Sequence, residues 1–180
     1  TWTFKIREGV KWVDMNGNEK GEVVAEDFAT GLEWVLNFYK NDSSNTSMPL
    51  EMIEGAEEYY EYTKTLSKEE AYALTADEGS KFRETVGIET PDEYTVVYTC
   101  LAEKPYFDTL ATYQSLYPMS KAMIEELGGI DATKAMNNET MWYNGPYTMT
   151  SYIQGNEKIF TKNPLYWDTE CTRFNTVTFK

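Results

Sequence analysis

The sequence of this chain predicts an α+β fold, with mixed sheets and helices inserted between the strands. Residues 1–7 and 174–179 alternate apolar and polar side chains, which is the period of a half-buried strand. Residues 25–39 instead carry apolar side chains at every third or fourth position, which is the period of an amphipathic helix. Because strand patterns are grouped and helical patterns fall between the groups, an α+β fold is favoured.

The first predicted strand begins at the start of the chain. Trp2, Phe4 and Ile6 fall on one face of it, so this face is expected to be buried. The pattern continues past a glycine as far as Trp12, which predicts one long strand. Residues 14–18 are rich in Asp, Asn and Gly and predict a polar turn that reverses the chain.

The most regular helix is predicted over residues 25–39. Glu26 and Asp27 suit its N-terminal end, where the helix dipole is positive. A polar stretch at 41–47 follows, and it offers no apolar side chains for packing. A second helix is predicted over 52–62.

Two capping boxes and a hairpin follow. Residues 67–70 and 75–78 each place a hydroxyl three positions before a Glu, so two short helices are predicted to begin there. Residues 85–89 and 94–101 are rich in β-formers. Pro91 lies in the turn between them, which predicts a hairpin.

The last third of the chain mixes both patterns. Helices are predicted over 105–112 and 120–127, the latter ended by the glycine pair that begins at Gly128. A second hairpin is predicted over 147–161, and a closing strand over 174–179.

Charge and composition exclude several classes of protein. The chain has 180 residues, 16 basic and 30 acidic, for a formal net charge of −14. Nucleic-acid binding needs clustered Lys and Arg, so no nucleic-acid partner is predicted. No apolar run approaches the roughly 20 residues of a membrane span. The chain begins with Thr and shows no signal-peptide pattern, so it is interpreted as an internal piece of a longer protein.

The sequence contains no His, which excludes Ser-His-Asp and Cys-His nucleophiles and His-ligated zinc within this segment. Cys100 and Cys171 have no CxxC spacing and are interpreted as small apolar residues rather than as a disulfide. No cofactor and no catalytic residue are predicted.

One turn has part of a calcium-loop pattern. Asp14, Asn16 and Asn18 occupy alternate positions, as oxygen ligands do in the first half of such a loop. Glu19 and Ala25 then stand where Gly and a bidentate Glu are required, so an ordinary polar turn is preferred and no metal site is predicted.

The acidic and aromatic residues suggest two further functions, catalysis on a sugar and ligand binding in a cleft. Glu57, Glu58 and Glu61 lie on one predicted helix and cannot face each other across a glycosidic bond, so a solvated acidic face is preferred to catalysis. The 14 Tyr and five Trp suit a binding cleft but equally suit a core, and Trp2 and Trp34 are better explained by packing.

Four blocks of sequence, in order, carry a resemblance to a known family. They are residues 2–12 followed by 25–28; residues 86–96; residues 104–107 followed by 117–121; and residues 144–147 followed by 163–168. Together they resemble the extracytoplasmic solute-binding proteins of peptide ABC importers, family 5, which include oligopeptide- and dipeptide-binding proteins. The resemblance spans the whole chain.

The resemblance implies a two-lobed periplasmic-binding-protein-like fold of the type II, peptide-binding kind. Residues 1–117 would be the small lobe, and residues 118–180 part of the large ligand-binding lobe. Family members are several hundred residues long, so the chain would be a fragment. Val24 stands where the family has a capping Thr, and the helix beginning at Ala25 is expected to lose that cap unless another oxygen replaces it.

In the family the ligand is enclosed between the lobes. Two segments match family segments that border the cleft, and they give the predicted ligand-binding residues Met48, Pro49, Leu50, Tyr113, Gln114 and Ser115. A family Tyr that contacts peptide is replaced here by Pro49 or Leu50. Residues 144–147 and 163–168 are interpreted as structural.

The implied function is that of a substrate-binding component, not an enzyme, which captures oligopeptides and delivers them to the permease subunits of an ABC transporter. The parent would lie outside the cytoplasmic membrane, in the periplasm or as a cell-surface lipoprotein, and would be a membrane-anchored monomer. The alternatives are a sugar- or nickel-binding member of the same family and a secreted carbohydrate-binding module. A module would present an exposed aromatic platform on one sheet, whereas an importer subunit would place Tyr113 and residues 47–50 on the same side.

Overall fold

A computed structural model describes residues 1–41 and 46–180. The predicted polar stretch at 41–47 therefore lies partly outside the described residues. The chain forms two compact units. The first unit comprises Thr1–Ile6 and Val24–Lys121, and the second unit comprises Arg7–Val23 and Ala122–Lys180.

The strands are β1 (Trp2–Lys5), β2 (Lys11–Val13), β3 (Glu19–Glu22), β4 (Ile88–Asp92), β5 (Thr95–Tyr98), β6 (Tyr147–Ile153), β7 (Glu157–Lys162) and β8 (Thr176–Phe179). The α-helices are α1 (Ala25–Leu36), α2 (Ser47–Met52), α3 (Ala56–Lys64), α4 (Lys68–Tyr72), α5 (Lys81–Thr85), α6 (Phe107–Leu110) and α7 (Lys121–Leu127). Short 3-10 helices span Gln114–Leu116 and Ile130–Ala135. The described residues therefore show the mixed α+β composition that the sequence predicts.

The first unit contains an antiparallel sheet with strand order β1-β5-β4. Phe4 pairs with Val96 across β1 and β5, which places their side chains on the same face of the sheet. Helix α1 contacts β4 and β5. It contributes Leu32 and Leu36, both fully buried, to an apolar core that also includes Phe82 from α5.

The predicted hairpin of the first unit is confirmed, although its turn shifts. Strands β4 and β5 pair antiparallel, and Pro91 lies within β4 rather than in the turn. Proline has no N–H to donate and is tolerated in an edge strand. Strand β4 is at an edge of the sheet, and its register is irregular between Glu89 and Asp92.

Helix α1 begins without the capping Thr side chain that the family has at position 24. A backbone carbonyl and a side-chain carboxylate accept hydrogen bonds at this end of the helix instead. Val24 makes no side-chain cap. The Ala25 N–H donates to the Glu93 carbonyl at 2.8 Å, and the Asp27 carboxylate accepts from the Val24 N–H at 3.1 Å. The helix ends at Leu36 rather than at residue 39.

Of the two predicted capping boxes, one is confirmed and the other is wrong. The Ser67 hydroxyl accepts from the Glu70 N–H at 3.2 Å, while the Glu70 carboxylate accepts from the Ser67 N–H at 2.9 Å, and α4 follows. No helix begins at residues 75–78. Instead Ser80 caps α5 by accepting from the Arg83 N–H at 3.3 Å.

The helix predicted over 52–62 is interrupted. The structure forms α2 and α3 separately, and Gly55 precedes α3 with φ of 70°, a left-handed conformation that glycine adopts without strain. A Cβ atom at this position would lie 1.7 Å from the Thr85 carbonyl oxygen. The close approach of two backbones therefore requires glycine and ends the helical run.

The second unit contains the hairpin β2-β3 and the antiparallel sheet β6-β7-β8. The long strand predicted from the first residue to Trp12 is wrong, because β1 and β2 are separate and belong to different sheets. Gly9, at φ of 74°, lies between them. The polar turn at 14–18, the hairpin over 147–161 and the closing strand are confirmed.

The predicted lobe limits of 1–117 and 118–180 stay a prediction, and the two compact units have bounds of their own. Arg7–Val23 belongs with the second unit, and the first unit extends to Lys121. The reason is a pair of long-range backbone hydrogen bonds: Val13 and Tyr143 exchange two N–H···O bonds, each 2.8 Å long. Within the described ranges, no helix has the length and apolarity needed to cross a bilayer.

Candidate ligand-binding site

Helix α2 carries three of the predicted ligand-binding residues. Pro49 lies in its first turn, where the missing N–H of proline removes no helical hydrogen bond. Pro49 is buried, and Met48 and Leu50 are half-buried and pack against the apolar core of the first unit. These side chains therefore hold α2 on the core, and the exposed edges of Met48 and Leu50 form part of its outer surface.

The C-terminal end of α2 is fixed to the strand region beside it. The Leu101 N–H donates to the Met52 carbonyl at 3.0 Å, and the Glu54 N–H donates to the Thr99 carbonyl at 3.0 Å. Ile53 and Cys100 form an isolated β-bridge, and burial raises the pKa of the Cys100 thiol above its ordinary value. Helix α2 is thus held at both its apolar face and its end.

The second predicted segment is a tight turn. The Tyr113 N–H donates to the Leu110 carbonyl at 2.9 Å, and the Leu116 N–H donates to the Tyr113 carbonyl at 2.9 Å, which closes the 3-10 helix. Tyr113 is 54% exposed and Gln114 is also exposed. Ser115 and Leu116 point inward and are buried.

The structure brings the two predicted segments together, because α2 contacts the 3-10 helix Gln114–Leu116. Tyr113 and Gln114 are exposed, and Met48 and Leu50 on α2 are partly exposed. We call these four residues the Tyr113 surface. The surface combines aromatic and apolar area with polar groups, which suits a ligand with both a main chain and side chains.

The position of Ser115 was not foreseen from sequence. Its side chain is 3% exposed, and its hydroxyl has no hydrogen-bond partner among the described residues. Ser115 is therefore part of the packed side of this segment and not of its outer surface. No local sequence signal indicates this, because the burial comes from the helices that the segment packs against.

Close packing between α1 and the chain that follows Ser115 fixes the segment. A Cβ atom at Gly31 would lie 2.3 Å from the Tyr117 carbonyl oxygen. Two residues later, the Met119 N–H donates to the Asp27 carbonyl at 2.9 Å. Gly31 thus allows the main chain after the Tyr113 surface to lie directly on α1.

In the second unit, one buried residue, Asn163, joins the two motifs that the sequence analysis interprets as structural, residues 144–147 and residues 163–168. Asn163 is fully buried; its N–H donates to the Pro146 carbonyl at 2.9 Å, and its side-chain amide donates to the Gly145 carbonyl at 2.9 Å. Arg7 stacks on Trp167, with 3.9 Å from the guanidinium carbon to the ring centroid. These contacts give both motifs a packing role, and they are nonlocal contacts that the sequence alone did not indicate.

The Asp14 turn is held by its own hydrogen bonds. The Asp14 carboxylate accepts from the Asn16 N–H at 2.8 Å and from the side-chain amide of Asn18 at 2.8 Å. Desolvation by itself would raise the pKa of Asp14, but the hydrogen bonds from Asn18 and Asn16 outweigh it and lower this pKa. Within the described part of the chain, no group of three His, Cys, Asp or Glu side chains lies close enough to hold a metal ion.

One aromatic pair joins strands β7 and β8 of the second unit. Phe160 and Phe179 on neighbouring strands meet edge to face, at an interplanar angle of 85°. Cys100 and Cys171 are both free thiols.

Comparison with solved structures defines the class of this fold. The structure of OppA from Haemophilus influenzae in complex with the peptide RPPGFSPFR aligns at a TM-score of 0.74 and 27% identity, covering 99% of this chain and 30% of OppA. The chain therefore has the fold of part of an OppA-type periplasmic binding protein.

The family assignment follows from the sequence. All of residues 1–180 match the family "Bacterial extracellular solute-binding proteins, family 5 Middle", and the chain belongs to that family. The oligopeptide-binding protein AmiA of Streptococcus pneumoniae is 30% identical over 98% of this chain, and the periplasmic oligopeptide-binding protein OppA of Haemophilus influenzae is 33% identical over 99% of it. The chain spans 24% and 28% of the lengths of these relatives.

Proposed function

We propose that this chain is part of an extracytoplasmic substrate-binding component that captures oligopeptides for an ABC importer. The observation that carries the proposal is the match of the whole chain to family 5, with relatives that are named as oligopeptide-binding proteins. The chain acts by binding and has no catalytic role. A sugar or nickel ligand has no specific support in the described residues.

The Tyr113 surface is the part of the peptide site that this chain supplies. In this proposal residues 1–117 form the small lobe, and residues 118–180 form part of the large ligand-binding lobe. Tyr113 offers its ring and hydroxyl, and Gln114 offers an amide that can pair with a peptide main chain. Main-chain hydrogen bonds of this kind give affinity without strong sequence preference.

The partners of the whole protein are the peptide and the permease subunits, which receive the peptide when the lobes open. The protein acts as a monomer outside the cytoplasmic membrane and is held there by a membrane anchor. Lobe closure is a population shift, since a ligand that contacts both lobes stabilises the closed state.

The experiment is an NMR titration of the isotope-labelled chain with RPPGFSPFR, with Haemophilus influenzae OppA as the positive control. One surface alone binds weakly, so we expect saturable amide shifts confined to residues 46–52 and 111–117 at about millimolar peptide. Tyr113→Ala should abolish them. The matched control is Tyr152→Ala, which removes a Tyr of similar exposure, 46%, from the second unit.

The proposal is overturned if the peptide shifts no amide resonance of the Tyr113 surface. It is also overturned if an oligosaccharide from a test panel shifts amide resonances of the chain and the peptide shifts none. Shifts that persist in Tyr113→Ala would remove that residue from the site.

A further inference from the structure

The two segments that carry the Tyr113 surface are acidic. Residues 46–54 and 101–116 contain one basic residue, Lys104, and four acidic residues: Glu51, Glu54, Glu103 and Asp108. All four acidic residues are exposed, whereas Lys104 is half-buried. Within the described part of the chain, none of these four carboxylates belongs to an ion pair. A ligand at this surface therefore meets negative charge that the protein does not neutralise.

Two of these carboxylates lie close in the chain to residues of the Tyr113 surface. Glu51 directly follows Leu50 on α2. Asp108 lies on α6, five residues before Tyr113, and the Tyr113 N–H donates to the Leu110 carbonyl, so the stretch between them stays in helical turns. Five residues of such turns rise about 7.5 to 10 Å. The screening length at about 0.15 M salt is about 8 Å, so both charges act on a ligand at the surface.

The ring of Tyr113 is a second, independent group that favours a cation. Tyr113 is 54% exposed, and the face of an aromatic ring carries partial negative charge. A Lys or Arg side chain over such a face gains cation–π attraction. The chain makes this contact elsewhere, since the Lys64 Nζ lies 4.4 Å from the centroid of the Tyr60 ring. Among the described residues no Lys or Arg lies over Tyr113, so its ring is open to a cation of the ligand.

We propose that the Tyr113 surface selects oligopeptides that carry a basic side chain, Arg or Lys, over neutral and acidic ones. The inference rests on the proposed peptide function and names the class of peptide. The cation of the peptide stacks on Tyr113 and is attracted by the carboxylates of Glu51 and Asp108. The formal net charge of −14 acts in the same direction at longer range, because it raises the rate at which cationic ligands meet the chain.

The test uses three capped peptides that differ in one side chain, acetyl-Ala-Ala-Xaa-Ala-Ala-amide with arginine, citrulline or glutamate at the central position. Citrulline has the shape of arginine, but its urea group is uncharged. NMR titration of the labelled chain at about 0.02 M salt follows the amide resonances of residues 46–52 and 111–117. The arginine peptide should bind about three- to tenfold more tightly than the citrulline peptide, and the glutamate peptide most weakly. Salt at about 0.5 M should reduce this ratio.

Two double variants separate the local charge from the total charge. Glu51→Gln with Asp108→Asn removes the two carboxylates beside the surface and should lower the ratio of arginine to citrulline affinity by about half or more. The Asp108 carboxylate accepts from the Thr109 N–H at 2.8 Å, and an amide oxygen can keep this bond. The matched control is Glu139→Gln with Glu170→Gln, which removes the same total charge from exposed positions of the second unit and should keep the wild-type ratio.

Three results would overturn the inference: equal binding of the arginine and citrulline peptides to the wild type, an unchanged ratio in the Glu51 and Asp108 variant, or an equal loss in the control variant. Each of these leaves the proposed peptide function standing, because peptides still bind. If neither the three peptides nor RPPGFSPFR shifts the Tyr113 surface, the proposed function fails and this inference fails with it. Amide spectra recorded without peptide show whether each variant is folded.

Discussion

At the scale of single residues, one buried ion pair dominates the interior of the first unit. Lys40 and Glu33 are each 4% exposed in their side chains, and their charged atoms are 2.7 Å apart. The Glu33 carboxylate also accepts from the Tyr59 hydroxyl at 2.8 Å and from the Asn37 amide at 3.0 Å. Lys40 further donates to the Leu74 carbonyl at 2.6 Å. Both charges are thus paired and hydrogen-bonded, which burial requires.

Removing one member of this pair should be strongly destabilising. Lys40→Met leaves the Glu33 carboxylate buried without its counter-ion, and we expect a loss of about 3 to 5 kcal/mol in the free energy of unfolding. Urea denaturation followed by tryptophan fluorescence measures this. The matched control is Lys64→Met, which removes a cation from an exposed pair with Glu61 and should leave the midpoint unchanged. Equal midpoints for both variants would contradict the prediction.

An exposed pair predicts a pH dependence of stability. The Lys121 ammonium lies 2.6 Å from the Asp77 carboxylate, and its hydrogen bond lowers the pKa of Asp77 in the folded state. A lowered folded pKa gives a contribution that is present above the unfolded value of about 3.9 and is lost as the pH falls through the folded value. Both groups are half exposed, so the effect is small.

The variant Asp77→Asn should therefore have a slightly lower urea midpoint than the wild type at about pH 6. The difference should shrink as the pH falls through the folded pKa of Asp77, because the carboxyl is then protonated in both states. A gap that widens on acidification would show that the pair does not act through the ionised carboxylate.

At the scale of elements, Gly31 shows how helix propensity and packing oppose each other. Alanine raises the intrinsic stability of a helix interior by about 1 kcal/mol relative to glycine. In α1, however, the added Cβ would meet the Tyr117 carbonyl oxygen at 2.3 Å, and this oxygen belongs to the backbone. The steric cost should exceed the gain in propensity.

We expect Gly31→Ala to lower the free energy of unfolding by about 1 to 3 kcal/mol, the usual cost of overpacking. It should also weaken the peptide-induced shifts, because Tyr117 directly follows the segment that bears the Tyr113 surface. Gly145→Ala is the control, since nothing lies within 4 Å of a Cβ there and φ is not positive. Urea denaturation curves give the free energy of unfolding of both variants. A Gly31→Ala variant that is more stable than the wild type would show that the gain in helix propensity exceeds the steric cost of the added Cβ.

Elements were predictable from sequence where their signal is local. The apolar period of α1, the Ser67 capping box and the glycine stop after α7 depend on neighbours in sequence, and the structure confirms all three. The single strand predicted as far as Trp12 was wrong, because the choice of partner strands is nonlocal. Likewise, residues 75–78 have the sequence of a capping box, but no helix begins there. The next helix, α5, begins after Ser80.

At the scale of the whole molecule, the division into units could not be read from the sequence. Arg7–Val23 joins the second unit through the backbone bonds between Val13 and Tyr143, which are far apart in the chain. The two site segments were predicted from a family resemblance, and the structure brings them together. The inward direction of Ser115 and the unpaired Tyr98 hydroxyl depend on packing and have no counterpart in local pattern.

Net charge provides a prediction for the whole molecule. At pH 7 the formal net charge is −14, and the like-charged carboxylates in excess repel one another in the folded chain. Ion pairs such as Lys5–Asp92 and Lys64–Glu61 are exposed and contribute little. Raising sodium chloride from about 0.01 M to about 0.15 M shortens the screening length from about 30 Å to about 8 Å, which weakens this long-range repulsion more than the short pairs. The thermal midpoint at pH 7 should therefore rise with salt.

The same titration near pH 4.4, the sequence pI, is the control. The net charge is close to zero there, so the repulsion is absent and salt can only weaken the remaining attractive pairs. The midpoint should be flat or fall. Calorimetric scans at both pH values measure the thermal midpoint with and without the net repulsion. A midpoint at pH 7 that falls with salt would mean that attraction between paired charges outweighs the repulsion among the excess acidic residues. The formal net charge would then be a poor guide to the stability of this chain.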